Sequence, residues 1–433
     1  MRKGDKVHFV GAAGFGVSAL AQFHVMGGGS ATGSDRTFDV GGAAELRAKL
    51  EKLGIRIFPQ DGSALDGTHA CAVVSTAIEK DNKDLERVRA LGLRLVHRAD
   101  ELERHVAAHK TIAVAGTSGK STVVAMIFEI LEAAGLSPSV ITGGALNSLE
   151  RRGLVGNAFR GKSDLLVVES DESDGTLVRY RPWLGVYLNM SKDHQELAEL
   201  ERLFAEFRRN CAEWLDAGAL RAESVEPGPA GSRFSVDGQS FALPVPGLHN
   251  VENALAAIAA CRKAGVNLSD CAKALAGFQG VSRRFERVGS SRGVEVVDDF
   301  AHNPVKVAAA LAAAHLRAPR VLAVFQLHGF APARFMKAEF LDAFAASLGA
   351  DDVLWLPNIF YAGGTAAKDV SAEDYALELK ARGKDVRFFA DRAAIPADAA
   401  REARPGDLVL LMGARDPGLP RFARDLLAAL GPP

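Results

Sequence analysis

Thr111–Thr122 reads TIAVAGTSGKST and continues directly into VVAMIFEILEAAG, Val123–Gly135. A β-branched apolar run, a glycine turn, and Lys-Ser-Thr heading a long apolar periodic segment specify a strand, a tight turn and a helix. Backbone N–H groups of such a turn, together with the helix N-terminus, converge where they can cradle phosphates. Position 114 is valine, so the full GxxxxGK[ST] pattern is unmet. The shorter GTxGK[ST] form stands, over Gly116, Thr117, Ser118, Gly119, Lys120, Ser121 and Thr122. Lys120 is suited to reach terminal phosphates, and Ser121 to offer a hydroxyl to the Mg²⁺ that accompanies ATP, a cation of compact oxygen ligands.

The same strand-then-helix rhythm extends both ways from this segment. Before it, strands are expected near VHFV (7–10), CAVVST (71–76) and LRLVH (93–97), with helices over GGAAELRAKLEKLG (41–54) and KDLERVRALG (83–92). After it come DLLVVES (164–170), WLGVYLN (183–189) and a helix from about Leu197 to Leu215. Residues 222–246 hold prolines, glycines and short strands, RFSV and SFALPV, which read as an insertion or a sheet edge. Helix resumes at HNVENALAAIAACRKAG (249–265), and alternation restarts with GVEVVDD, RVLAVFQ, DVLWL, VRFF and DLVLLMG. Such alternation predicts the α/β class, parallel sheets covered by helices, in three domains: 1–106, 107–280 and 281–433. The outer two are expected to be Rossmann-like and the central one P-loop ATPase-like.

Length and composition agree. With 433 residues, a prior of roughly 100 to 200 per domain gives two to four domains. Apolar residues make up 48% and charged residues 24%, the balance of a soluble globular chain. Against 53 acidic side chains stand 52 basic ones, so neither a nucleic-acid surface nor an anionic-membrane surface is expected, and phosphate binding must be local. Four cysteines without CxxC spacing suit a reducing cytoplasm. The opening MRKGDK and the apolar stretch after it superficially copy a secretory signal, but the glycine spacing serves a nucleotide turn better. No unbroken apolar stretch suggests a membrane span. A soluble, cytoplasmic protein is expected, and no pattern here sets an oligomeric state.

Two further groups of residues carry chemistry. Gly11, Gly14 and Gly16 follow the first strand with GxxGxG spacing, which allows a diphosphate to approach the backbone, and Asp35 stands where Rossmann folds often hold a ribose acid. Glu169 closes DLLVVE at a carboxyl strand edge, the place for a metal-binding carboxylate. The acids after it, Asp171, Glu172 and Asp174, read by default as a solvated loop. His194, in NMSKDH, follows another strand and can ligate a metal when neutral.

AVAGTSGKST, VVESDESD, NMSKDH, GLHNVENA, FQGVSRRFE and VDDFAHNP resemble, in order and spacing, successive signatures of the Mur ligases. HFVGAAGFGVSALA, TGSD, VVSTAI and HRADEL resemble the UDP-sugar domain of the alanine-adding branch. The resemblance implies ATP-dependent amide formation, through an acyl phosphate, between the carboxylate of UDP-N-acetylmuramate and an amino acid, L-alanine first, in peptidoglycan precursor synthesis. It makes Lys120 the γ-phosphate lysine, Ser121 and Glu169 ligands of one Mg²⁺, and His194 the holder of a second metal. His249, Asn250 and Asn253 become adenine-side residues, Arg284 a phosphate-binding arginine, and Asp299 the ATP ribose acid. Gly11, Gly14, Gly16, Asp35 and Ser75 would bind the UDP-sugar, and Asn189 would support the metal loop. Since ATP residues fall on two domains, closure is expected to assemble the site and exclude water.

The match is weakest where the acceptor amine should sit. FQLHGFAPAR stands in place of a segment like FQPHRYTRTR, keeping His328 and Arg334 but carrying Gly329 and Pro332 at two arginine positions. After His302, Asn303 replaces a usual second histidine, and GARDPGLP replaces GAGNIG. His302, His328 and Arg334 are the expected acceptor residues. A ligase adding a preformed murein peptide, and a nucleotide-binding paralogue without turnover, are the alternative expectations.

Overall fold

The computed structural model describes residues 4–172, 175–191, 196–361 and 367–431. Two compact units are present: one spans Met1–Arg221 and Glu252–Val281, the other Ala222–Val251 and Ser282–Pro433.

The first unit contains two sheets, one all parallel and one parallel except for its last pair, Ser139–Ile141 with Ala158–Phe159. One has the order Arg56–Phe58, Ser30–Ser34, Lys6–Val10, Cys71–Val74, Arg94–His97, all parallel. This 3-2-1-4-5 order is that of a Rossmann sheet without its sixth strand, the strand order reversing between Lys6–Val10 and Cys71–Val74. Ser30–Ser34 and Arg56–Phe58 were not among the expected strands. SATGS carries no large apolar side chain, and RIF is only three residues long, so neither shows a strand period.

The second sheet runs Glu213–Asp216, Leu184–Tyr187, Lys110–Ala115, Leu165–Ser170, Ser139–Ile141, Ala158–Phe159. The Lys110–Ala115 strand lies inside it and feeds helix Lys120–Ala133, whose side chains are buried nearly all round. A helix buried nearly all round belongs to a core, which explains its lack of amphipathic period. The expected helix from Leu197 to about Leu215 ends at Asn210, and Glu213–Asp216 pairs as an edge strand instead. One continuous core joins both sheets, from Phe9, Phe23 and Leu50 to Ala113, Val168 and Phe204.

In the second unit, Ser224–Gly228, Gly231–Val236 and Gln239–Leu243 form a separate antiparallel meander, which accounts for the broken pattern at 222–246. The larger sheet is ordered Glu286–Ser291, Val294–Asp299, Leu408–Gly413, Val321–Gln326, Val353–Pro357, Asp385–Phe389, parallel except for the first pair. Its central strands, Leu408–Gly413, Val321–Gln326 and Val353–Pro357, are nearly unbroken apolar runs because both faces are covered. Ala323 and Phe325 enter one core, while Leu322 and Val324 enter the other.

Candidate active site

The glycine turn is built as its sequence requires. Gly116 has φ +140, and a Cβ there would meet the Asn189 carbonyl and the Leu188 Cβ at 3.0 Å. Gly119 has φ +88 and caps the helix, and its missing Cβ leaves room for the Asn253 side-chain oxygen, which would lie 2.3 Å away. Asn189 holds the turn from the adjacent strand end. Its side chain accepts from Ser118 N at 3.0 Å and donates to Ser118 O at 3.1 Å, and its carbonyl accepts from Thr117 N. Thr117 is tied in turn to the Ser191 backbone. The loop is therefore preorganised, with the N–H groups of Lys120, Ser121 and Thr122 at the helix start.

Lys120 is buried at the head of this helix. Its Nζ donates to Glu172 Oε2 at 2.5 Å and lies 3.5 Å from Asp171. Desolvation would lower the lysine pKa, but Glu172, Asp171 and Glu169 together hold it above its ordinary value. Burial, with Asp171 adding, raises that of Glu172 despite the lysine. Glu172 is 7% exposed, so the expectation of a solvated acid loop is corrected here. The chain turns after Leu165–Ser170 and delivers this carboxylate onto a lysine 52 residues away. Asp171 does remain half exposed. Asp174 and His194 lie outside the described residues.

Beside the lysine, three donors converge on Glu169 Oε2: Ser121 Oγ at 2.9 Å, Thr142 Oγ1 at 2.8 Å and Gly143 N at 2.9 Å. This joins the two expected metal-ligating residues in the described part of the chain and adds Thr142. Thr142 had no local signal, since it enters by packing of the Ser139–Ile141 strand against Leu165–Ser170. Ser118 Oγ and Ser191 Oγ are buried without a partner among the described residues, leaving polar capacity beside the turn. On the Leu248–Lys263 helix, Asn253 joins the glycine turn, while Asn250 donates to the Pro246 carbonyl at 2.7 Å, as a helix-start contact. His249 stands one residue before it, beside Gly247.

Gly11, Gly14, Asp35 and Ser75 line the carboxyl edge of the first sheet. Gly11 takes φ +83, Gly14 caps helix Phe15–Met26, and Ser75 follows the adjacent Cys71–Val74 strand. Gly16 leaves space for Arg98. Asp35 is committed to the backbone, accepting from Ala13 N at 2.9 Å and Thr37 N at 2.8 Å. It thus ties the glycine loop to the next helix.

In the second unit, Arg283 makes a two-pronged contact with Asp298 and donates to the Gly413 carbonyl. Arg284 lies over the Phe300 ring, 4.9 Å from its centroid. Asp299 accepts from Phe285 N at 2.6 Å and Ala301 N at 2.7 Å, bracing two loops. His302 and His328 come together with ring centroids 5.8 Å apart. Arg334 is committed elsewhere: its guanidinium contacts Asp369 and the Ala367 carbonyl on the surface. Gly329 has φ +69 and caps the short helix Phe330–Phe335, and a Cβ on it would lie 3.2 Å from the Pro332 ring. The two departures from arginine are therefore coupled in a local turn.

Two family models match: "Mur ligase family, catalytic domain" over residues 6–110 and "Mur ligase, glutamate ligase domain" over 283–415. The UDP-N-acetylmuramate–L-alanine ligase of Synechococcus sp. (strain RCC307) is 35% identical, covering 95% of this chain and 93% of its own. That of Phenylobacterium zucineum is 34% identical, covering 95% and 92%. Among solved structures, the UDP-N-acetylmuramate-alanine ligase of Thermotoga maritima superposes with a TM-score of 0.79 at 26% identity, covering 98% of each chain. A murein peptide ligase of Psychrobacter arcticus shares the fold, with a TM-score of 0.65 at 22% identity and 99% of each chain covered. At 35% identity over 95% of its length to such a ligase, and with the same fold over 98% of its length, the chain belongs to the Mur ligase family.

Proposed function

We propose that this protein is an ATP-dependent ligase that joins the carboxylate of UDP-N-acetylmuramate to the amino group of L-alanine, in peptidoglycan precursor synthesis in the cytoplasm. The observation that carries the reading is the buried Lys120 at a preorganised glycine turn, beside the Ser121–Glu169 pair. The proposal keeps three functional domains, 1–106 for the UDP-sugar, 107–280 for ATP and 281–433 for the acceptor. No helix of the described residues is long and apolar enough to cross a membrane.

A carboxylate acylates amines poorly at neutral pH. In the proposed reaction its oxygen attacks the γ-phosphorus, the bond to the β,γ-bridging oxygen breaks, and ADP leaves. The amine, having lost a proton, then attacks the acyl carbon and expels phosphate. Lys120 exchanges Glu172 for the phosphate, and the turn N–H groups stabilise charge spread over its oxygens. Ser121 and Glu169 fit Mg²⁺, being a hydroxyl and a carboxylate already within 2.9 Å of each other, and His194 is proposed for a second ion. When bound, Mg²⁺ supplies positive charge to the phosphate oxygens. Asn253, His249 and Asn250 are proposed on the adenine side, Arg284 toward phosphate and Asp299 toward the ATP ribose.

ADP formation that requires UDP-N-acetylmuramate and an amine together tests the reading, and ATP turnover indifferent to both would overturn it. A preformed peptide as acceptor is the second reading, favoured by the Gly329 turn and the surface pairing of Arg334. Phosphate release across single amino acids and the cell-wall peptide separates the two.

A further inference from the structure

The carboxyl edge of the second unit's parallel sheet, where Asp299, His302 and His328 stand, also carries Arg415, which has no role above. Leu408–Gly413 is flanked by Val294–Asp299 on one side and Val321–Gln326 on the other, with Asp299 level with Met412 and Gln326 level with Gly413. The loops leaving those flanking strands carry His302 and His328, whose rings meet. The loop leaving the central strand is Ala414-Arg415-Asp416. Crevices outside the carboxyl ends of parallel strands are where α/β sheets bind ligands.

Arg415 is held outward there. Its neighbours Ala414 and Asp416 are buried, at 1% and 5% exposure, while Arg415 itself is exposed. Asp416 is fastened by Arg392 and by Gly418 N at 2.8 Å, and its own N–H donates to the Ala414 carbonyl at 2.7 Å. Arg415 adopts φ +60, a left-handed conformation that a non-glycine residue keeps only where the surroundings over-determine it. Several cations of this region have partners: Arg283 on Asp298, Arg392 on Asp416 and Gln326, Arg334 on Asp369, Lys306 beside His302, and Arg284 over Phe300. Arg415 has no ion pair or hydrogen bond among the described residues.

We infer that Arg415 binds the α-carboxylate of the acceptor amino acid, in place of the arginines absent at 329 and 332. This rests on the ligase reading above. A planar guanidinium presented at a sheet edge matches a carboxylate by two parallel hydrogen bonds, which an ammonium cannot reproduce. The contact selects an amine that carries a carboxylate and takes no part in phosphoryl transfer.

The test compares L-alanine with L-alaninamide, which keeps the amine and methyl group but lacks the carboxylate, by phosphate release at fixed ATP and UDP-N-acetylmuramate. The native enzyme should favour L-alanine. Arg415→Ala should raise the KM for L-alanine about ten- to a hundredfold, the loss expected for a charge-assisted pair, and leave L-alaninamide and the KM for ATP nearly unchanged. Arg415→Lys should fall between. An unaltered ratio of the two acceptors in Arg415→Ala overturns the assignment while leaving the ligase intact. If that variant fails to fold, equal use of L-alanine and L-alaninamide by the native enzyme overturns it alone. No phosphate release with any amine overturns the ligase reading itself, and this assignment with it.

Discussion

Glu129 should make the stability of the first unit depend on pH. It lies on the helix that begins at Lys120, where its Oε2 accepts from Gln279 N at 3.2 Å, and its Oε1 is buried with no hydrogen-bond partner among the described residues. Burial, with Glu132 adding, pushes its carboxyl from 4.5 up to about 7, against the nearby Ser148 hydroxyl, the Gln279 N–H and Arg151. The folded protein therefore binds this proton more tightly than the unfolded chain. The associated stability is fully present below about pH 4.5 and is lost as pH rises through about 7. A rise of 2.5 units, 7 minus 4.5, at 1.36 kcal/mol per unit corresponds to about 3 kcal/mol, an upper figure for a side chain that keeps some exposure. Glu129→Gln removes the titration and keeps the shape. Urea unfolding of both proteins between about pH 5 and pH 8 should show the variant gaining on the native protein by about 1–3 kcal/mol as pH rises. Groups common to both cancel in the difference. A difference that stays constant across this range would refute the reasoning.

Lys120→Ala should abolish ADP formation and leave UDP-N-acetylmuramate binding intact, because the glycine loop at Gly11 belongs to a different sheet. Calorimetry that finds sugar binding lost in the folded variant would contradict that separation. Glu169→Ala should raise the Mg²⁺ concentration needed for turnover, and an unchanged requirement would remove Glu169 from the metal site. Glu172→Gln strips Lys120 of a charge-assisted partner worth about 1.5–3 kcal/mol, so the ligand-free variant should melt lower and be stabilised more by ATP than the native protein. Equal ATP-induced shifts would mean that Glu172 does not compete with phosphate. Arginine restored at Gly329 and Pro332 must take φ +69 with ψ 133 at the first site, outside the left-handed helical well, which costs about 1–3 kcal/mol. A lower urea midpoint is therefore expected in that double variant, and an undiminished one would show that the turn relaxes.

Features carried by contiguous residues were legible in the sequence. TIAVAG followed by TSGKST could be read as strand, turn and helix because strand period, positive-φ glycines and a helix start are all encoded within a dozen neighbours. The parallel sheets followed from repeated alternation, and the strands most clearly read were those with both faces buried, such as VLAVFQ and LVLLMG. Ser30–Ser34, without a large apolar side chain, and Arg56–Phe58, only three residues long, escaped because their register is imposed by Lys6–Val10 and by one another.

Only the tertiary structure decided which charges meet. Nothing local separates Glu172 from Asp171, yet one is buried on Lys120 and the other is half exposed, because the chain bends after its strand. Asn253 reaches Gly119, and Thr142 reaches Glu169, through packing between segments 134 and 27 residues apart. Arg334 could be placed near an acceptor by its motif, but its guanidinium meets Asp369, 35 residues further along the chain. Burial and partnering set a charged group's energy, and both depend on the path of distant chain, so sequence named the chemical groups while packing chose their partners.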